Sequence, residues 1–80
     1  MDLTSKQQSV LGELTVDWKT PIQIAERLPQ AEGNLSDVNE TLIGLVSAGL
    51  VQANPTVFGL YRLTEDGMNI KKLDKSNFDS

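Results

Sequence analysis

The side chains of this sequence that could do acid–base chemistry are carboxylates, because the 80 residues include no histidine and no cysteine. A catalytic relay through an imidazole is therefore excluded, as are thiolate and imidazole metal sites. The carboxylates are scattered, and the adjacent pair Glu65 and Asp66 would not face each other on a helix. We interpret that pair as the acidic first turn of a helix. We therefore predict no catalytic residue, no metal ligand, no cofactor and no enzymatic activity.

Length and composition favour one small globular domain. Hydrophobic residues make up 39% of the chain and charged residues 22%, which is typical of a folded protein rather than a disordered one. No apolar run approaches the roughly 20 residues of a membrane span, and the N-terminus does not resemble a signal peptide. We therefore expect a cytoplasmic protein with no membrane partner. The formal net charge is −4, which is unusual for a protein that binds the phosphates of nucleic acids.

The elements that would position any surface site begin with two capped helices. Thr4 and Gln7 form a capping-box pattern that predicts the start of helix 1, and Thr20 with Gln23 predicts the start of helix 2 in the same way. The segment 29–34 opens with a proline, which predicts that helix 2 ends there in a turn. The predicted core stripes are Val10, Leu11 and Leu14 in helix 1, and Ile24, Ala25 and Leu28, flanked by Ile22, in helix 2.

Helix 3 is predicted to start at or near Ser36 and to run to about Ala48, with Gly49 as its C-terminal cap. Stepping about 100° per residue from Val38 divides the helix into two faces. The arc predicted to be buried contains Val38, Leu42, Ile43, Leu45 and Val46. The opposite side, predicted to face solvent or a partner, contains Asp37, Glu40, Thr41, Gly44 and Ser47.

After helix 3 the hydrophobic pattern changes from helical to extended. Residues 50–53 and 57–63 are two β-compatible runs, and the segment 54–56 between them has the composition of a hairpin turn. A short strand at Trp18 and Lys19, in the connector between helices 1 and 2, would add a third member to this sheet. The Trp18 ring itself is interpreted as core filler between those two helices, and the alternative is an exposed anchor for a partner.

A fourth helix is predicted to follow the hairpin. Thr64 is its N-cap, and Ile70 and Leu73 are expected to pack inward. The residues after Leu73 lack a hydrophobic period, so we expect a domain over residues 1–73 and a disordered tail over 74–80.

Three stretches resemble the MarR- and PadR-like regulators of bacteria and archaea. Residues 20–28, TPIQIAERL, are similar to the second helix of those proteins. Residues 42–51, LIGLVSAGLV, are similar to their passage from the recognition helix into a strand, and residues 61–67, YRLTEDG, to their run from the wing into the next helix. The resemblance implies an α+β, mainly α fold: a winged helix-turn-helix with a three-helix core, a two- or three-stranded β-wing and a C-terminal helix.

The resemblance also implies a function, that of a transcriptional-regulator-like DNA-binding domain acting as a homodimer. In such domains the third helix enters the major groove of double-stranded DNA. The residues that the resemblance implies for DNA contact are Ser36, Asp37, Asn39, Glu40, Thr41 and Ser47. The segment 19–50, however, carries two basic and four acidic residues, a net charge of −2. That balance on a segment meant to meet a polyanion favours an alternative function, a protein–protein interaction module built on the same fold.

The wing offers candidate contacts for either kind of partner. They are Thr56, Phe58, Leu60 and Arg62. If Tyr61 and Leu63 point into the core, alternation puts the last three candidates on the outer face, where Phe58 and Leu60 would form an apolar patch suited to a protein partner. In the other arrangement, a bulge at Gly59 shifts the register and buries Phe58.

Overall fold

The computed structural model describes residues 3–29 and 33–79, with side chains described through Leu73. Its elements are α1 (Ser5–Glu13), α2 (Pro21–Arg27), α3 (Leu35–Ser47), β1 (Val51–Ala53), β2 (Tyr61–Leu63) and α4 (Glu65–Asp79). The predicted α+β, mainly helical architecture and the order of its elements are confirmed. Residues 30–32 of the predicted turn 29–34 lie outside the described residues. In the described part of the chain, no helix has the length and apolarity needed to cross a membrane.

Helices α1 and α2 begin where the sequence predicts, each with a complete capping box. The hydroxyl of Thr4 accepts from the backbone N–H of Gln7 at 3.1 Å, and the backbone N–H of Thr4 donates to the Gln7 side chain at 2.9 Å. Thr20 and Gln23 repeat both hydrogen bonds at 3.1 and 2.9 Å. These bonds satisfy backbone donors that have no acceptor within the helix, which fixes the start of each helix.

One hydrophobic core joins the first three helices to the sheet. Its buried residues are Val10, Leu11, Leu14, Ile24, Val38, Leu42, Leu45, Leu50, Val51 and Leu63. The predicted stripes of α1 and α2 are therefore confirmed, with Ala25 and Leu28 packed at the margin and Ile22 exposed. Because α3 packs against both α1 and α2, only the side of α3 that faces them is covered.

Helix α3 ends at a glycine that reverses the chain toward the sheet. Gly49 has a φ of +81°, a left-handed conformation that side chains with a Cβ disfavour. Its backbone N–H donates to the carbonyl of Val46, and the N–H of Leu50 donates to the carbonyl of Leu45, both at 3.0 Å. This pair of hydrogen bonds is the Schellman motif. The predicted glycine cap is confirmed. The next residue, Leu50, lies in the hydrophobic core.

The sheet is built from more of the chain than the hairpin alone. Strands β1 and β2 pair antiparallel, and Lys19 forms a β-bridge with Tyr61 through two backbone hydrogen bonds of 2.8 Å. The backbone N–H of Leu63 also donates to the carbonyl of Thr15 at 2.9 Å. The α1–α2 connector therefore flanks β2 as a short third segment. The hairpin strands are shorter than predicted, and the loop between them spans 54–60 rather than 54–56.

Helix α4 is seated by close backbone approach to the end of α3. The hydroxyl of Thr64 accepts from the backbone N–H of Gly67 at 3.1 Å, which confirms the predicted cap. A Cβ at Gly67 would overlap the carbonyl oxygen of Leu50, so this position requires glycine. The Lys71 ammonium donates to the carbonyl of Leu14 at 2.7 Å. A cation at this carbonyl suits the C-terminal end of α1, where backbone acceptors lack helical partners.

The later part of α4 departs from the sequence expectation in one respect. Ile70 packs against the core as predicted, but Leu73 is 60% exposed, so its predicted inward packing is wrong. The helix continues to Asp79, beyond the residue at which the sequence predicts the domain to end. The division into a domain of residues 1–73 and a disordered tail of 74–80 stays a prediction.

Candidate functional site

Helix α3 lies at the surface with one face in the core. It begins at Leu35, beside the predicted Ser36, because the side-chain oxygen of Asn34 accepts from the backbone N–H of Ser36 at 2.9 Å and of Asp37 at 3.3 Å. An asparagine at this N-cap position satisfies two donors of the first turn. The core contacts are made by Val38, Leu42 and Leu45. The remaining circumference divides into a flank beside α1 and an outward surface.

The flank beside α1 holds two of the six predicted contact residues. The Asp37 carboxylate pairs with the Lys6 ammonium at 2.6 Å, and the Thr41 hydroxyl donates to the carbonyl of Asp37 at 2.7 Å. Gly44 lies on the same flank, next to the Gln7 side chain of α1. The expectation that Asp37, Thr41 and Gly44 face solvent or a partner holds only in part, because all three are half-buried on this flank. Asp37 joins α3 to α1, and Thr41 bonds within α3.

The outward surface consists of exposed residues, and we call it the α3 outer face. It contains Ser36, Asn39, Glu40, Ile43, Val46 and Ser47. Ile43 is 62% exposed and Val46 is 36% exposed, so the prediction that both are buried is wrong. Successive residues of a helix are about 100° apart. Ile43 consequently lies roughly 140° from Val38, beyond the sector that α1 and α2 cover.

The chemistry of the α3 outer face is that of polar side chains, one of them the Glu40 carboxylate, around an apolar centre. Ile43 has Asn39, Glu40 and Ser47 as its neighbours at helical spacings of three and four. The Asn39 amide can donate and accept at once, and the Glu40 carboxylate only accepts. Helix α3 contains no lysine or arginine, so this face has no group that can neutralise a phosphate.

The wing loop, residues 54–60, is held by a network centred on Asn54. The side-chain oxygen of Asn54 accepts from the backbone N–H groups of Thr56 and Val57, both at 2.9 Å, and from the Thr56 hydroxyl at 3.0 Å. Phe58 is 94% exposed and Val57 is 53% exposed, whereas Leu60 is half-buried. The alternative prediction, in which a bulge at Gly59 buries Phe58, is therefore wrong. The exposed apolar pair is Val57 and Phe58, not Phe58 and Leu60.

Three side chains line up across the outer surface of the sheet, and we call them the wing row: Trp18, Arg62 and Gln52. Gln52 and Arg62 are cross-strand partners, and the Arg62 Nε donates to the Gln52 side-chain oxygen at 3.0 Å. The Arg62 guanidinium carbon lies 4.4 Å from the centroid of the Trp18 ring. Trp18 is half-buried and supports the wing, so its interpretation as core filler between helices 1 and 2 is wrong. Nothing in the spacing of Trp18 and Arg62 along the chain signals this pairing.

Several other basic side chains have partners away from the α3 outer face. Lys6 pairs with Asp37, and the Arg27 Nε lies 3.5 Å from the Glu13 carboxylate. Lys71 is bound to the carbonyl that ends α1. Within the described residues, no three metal-ligating side chains gather into a group that could hold an ion.

Comparison with known proteins found one informative similarity. No protein-family model matches the sequence, and the search of curated proteins gave no match. Among solved structures, a zinc-responsive MarR family member, ZitR of Lactococcus lactis, matches with a TM-score of 0.75 at 25% sequence identity. The match covers 99% of this chain and 56% of the ZitR chain, so this chain spans little more than half the length of that neighbour. The three-helix core, the wing and the helix that follows it thus form a winged-helix domain resembling those of the MarR family.

Proposed function

We propose that this chain is a DNA-binding winged-helix domain of the transcriptional-regulator-like kind. The observation that carries the proposal is the similarity to a MarR family structure over nearly the whole chain. In this fold the third helix is the element that enters the major groove. The α3 outer face is the part of that helix left free by the core.

The residues of the α3 outer face suit contacts with base edges. The Asn39 amide matches the donor and acceptor pair of adenine, the Glu40 carboxylate can accept from the amino group of cytosine, and the Ile43 side chain can contact a thymine methyl group. Ser36 and Ser47 add hydroxyls at the two ends of the face. Asp37 and Thr41 take structural roles in this proposal because they are engaged on the α1 flank.

The electrostatics predict weak binding with a shallow salt dependence. For each phosphate contacted, the logarithm of the affinity for duplex DNA falls by about 0.9 for every tenfold increase in salt concentration. Since α3 has no basic residue, few phosphates are neutralised per chain. A homodimer would double the number of contacts and match the two-fold symmetry of a palindromic site.

The zinc response named for ZitR is not extended to this chain. The sequence has neither histidine nor cysteine, which are the nitrogen and sulfur ligands typical of protein zinc sites.

The test is a titration of the chain with mixed-sequence duplex DNA at several salt concentrations, first with the wild type and then with Asn39→Ala. We expect binding at low salt that weakens in Asn39→Ala. Asn69→Ala is the matched control, because Asn69 lies exposed on α4, outside the α3 outer face and the wing. Absence of binding at low salt, where electrostatic attraction is strongest, would overturn the proposal.

A second candidate function is a protein–protein interaction module that uses the same surfaces. It is favoured by the exposure of Ile43 and Phe58 and by the absence of basic residues from α3. Exposed apolar side chains of this size are typical of contact sites for proteins. Sedimentation velocity of the wild type and of Phe58→Asp tests it for self-association. A wild type that associates and a variant that stays monomeric would identify the wing tip as a protein-contact surface; association together with no DNA binding at low salt would favour this function over DNA binding.

A further inference from the structure

Glu40 and Ile43 are neighbours on the α3 outer face. They are three residues apart on one helix, so their Cβ atoms lie roughly 5–6 Å from each other. Glu40 is exposed, and Ile43 is 62% exposed. Among the described residues, no basic side chain lies within ion-pair distance of the Glu40 carboxylate. The two residues therefore present an acceptor that has no cation beside an apolar group that has no cover.

The carboxylate of Glu40 limits the bases that this pair of residues can meet. An ionised carboxylate only accepts hydrogen bonds, and the major groove offers it two kinds of donor, the N4 amino group of cytosine and the N6 amino group of adenine. Adenine carries the acceptor N7 beside its amino group, and N7 repels a carboxylate. Cytosine carries the C–H group of C5 at the corresponding place. Because an acceptor buried without a donor loses its hydration uncompensated, Glu40 favours cytosine.

The side chain of Ile43 adds a requirement for an apolar group beside that donor. Unmodified DNA presents one apolar group in the major groove, the C5 methyl group of thymine. Thymine carries the acceptor O4 on the next ring atom, so its methyl group brings O4 toward the Glu40 carboxylate. A cytosine methylated at C5 presents its methyl group beside the N4 donor and without that acceptor. It therefore matches both side chains at once.

We propose that Glu40 and Ile43 together form a binding site for 5-methylcytosine in the major groove of double-stranded DNA. The site rests on the proposed DNA-binding function and adds to it the modified base for which the domain is selective. Glu40 accepts from the N4 amino group, and Ile43 covers the methyl group. Helix α3 has no basic residue, so phosphate contacts by this helix do not mask the contribution of the match.

The test uses one mixed-sequence pool of duplex DNA in three versions that differ only in the methyl groups of their pyrimidines. The first version contains cytosine and uracil, the second contains 5-methylcytosine and uracil, and the third contains cytosine and thymine. At low salt, the wild type should bind the second version about fourfold more tightly than the first, which is the ratio expected for burial of one methyl group. It should bind the third version like the first, because each thymine methyl group accompanies O4.

Two variants test the role of each side chain. Ile43→Ala should bind the first and second versions equally, because the side chain that covers the methyl group is shortened. Glu40→Gln should bind the second and third versions equally, because an amide can also donate to O4 of thymine. Asn69→Ala, on α4 and outside the α3 outer face, should keep the wild-type preference. Thermal unfolding followed by circular dichroism checks that each variant remains folded.

The outcomes separate this inference from the function on which it rests. If the wild type binds none of the three versions, the proposed function fails and the site fails with it. If the wild type binds all three equally, or binds the thymine version most tightly, the 5-methylcytosine site alone is overturned. A preference for the second version that persists in Ile43→Ala also overturns the site, because methylation would then act through the shape of the DNA.

Discussion

The α3 outer face and the wing row are two surfaces outside the hydrophobic core, and they are built in opposite ways. The α3 outer face has exposed polar side chains around Ile43 and no basic residue. The wing row has a basic residue, Arg62, held from two sides by its neighbours. The first surface suits contacts whose energy depends on the matching of donors and acceptors, and the second suits attraction to negative charge. The two surfaces of this fold thus differ in the partner chemistry that they suit.

Both surfaces are supported by the same hydrophobic core, so the largest predicted effect comes from a substitution in that core. Leu42→Ala should lower the free energy of unfolding by about 2–5 kcal/mol, because it removes a fully buried side chain and leaves a cavity. Ile43→Ala, one residue further along α3, should change it by no more than about 0.5 kcal/mol, since Ile43 is mostly exposed. Urea denaturation of both variants measures the contrast. Equal losses of stability would show that Ile43 is as deeply buried as Leu42.

Substitutions at the junction between α3, β1 and α4 should have the next largest effect, because this junction fixes the position of the wing relative to α3. Gly67→Ala places a methyl group against the Leu50 carbonyl and 3.1 Å from a Leu63 methyl carbon. Such overpacking should cost about 1–3 kcal/mol and shift the hairpin. The melting temperature and the Trp18 emission report the two effects. Gly12→Ala is the control, because a Cβ at Gly12 meets nothing within 4 Å.

A smaller effect is expected on the flank of α3 that belongs to neither surface. Lys6→Gln breaks the ion pair between Lys6 and Asp37. The side chain of Lys6 is 46% exposed and that of Asp37 is 38% exposed. Exposed pairs of this kind contribute about 0–1 kcal/mol, and the loss should shrink in high salt because the attraction is screened. Chemical denaturation at two salt concentrations measures it. A loss that does not depend on salt would assign the contribution of Lys6 to packing rather than to charge.

The smallest effect on stability is expected at the wing tip. Phe58→Asp should change the free energy of unfolding by no more than about 0.5 kcal/mol. The ring is 94% exposed, so its removal leaves no cavity. Thermal unfolding of the variant checks this. A clear loss of stability would mean that Phe58 packs against the domain, and the wing tip would then cease to be a candidate contact surface.

The sequence predicted the elements that depend on local rules. The capping threonines at positions 4 and 20 and the left-handed glycine at 49 each follow from a short-range requirement of the backbone. Those requirements are visible in a few consecutive residues. Local sequence rules are therefore sufficient to predict the order of helices and strands.

The sequence did not predict which side chains the fold leaves uncovered. Ile43 and Val46 are apolar and adjacent to core positions, yet α1 and α2 cover only one side of α3. The pairing of Trp18 with Arg62 depends on a β-bridge between distant segments. The ion-pair partner of Asp37, Lys6, lies on another helix. In each case the deciding neighbour is remote in the sequence, and local patterns carry no information about it.

The hydrogen bonds that join the α1–α2 connector to β2 have a consequence for the order of folding during synthesis. The carbonyl of Thr15 and both backbone groups of Lys19 find their partners only at Leu63 and Tyr61. A growing chain that has left the ribosome as far as the wing loop contains three helices but no acceptor or donor for that connector. Its exposed edge would be open to pairing with another chain. The last strand therefore completes the backbone hydrogen bonds of the connector.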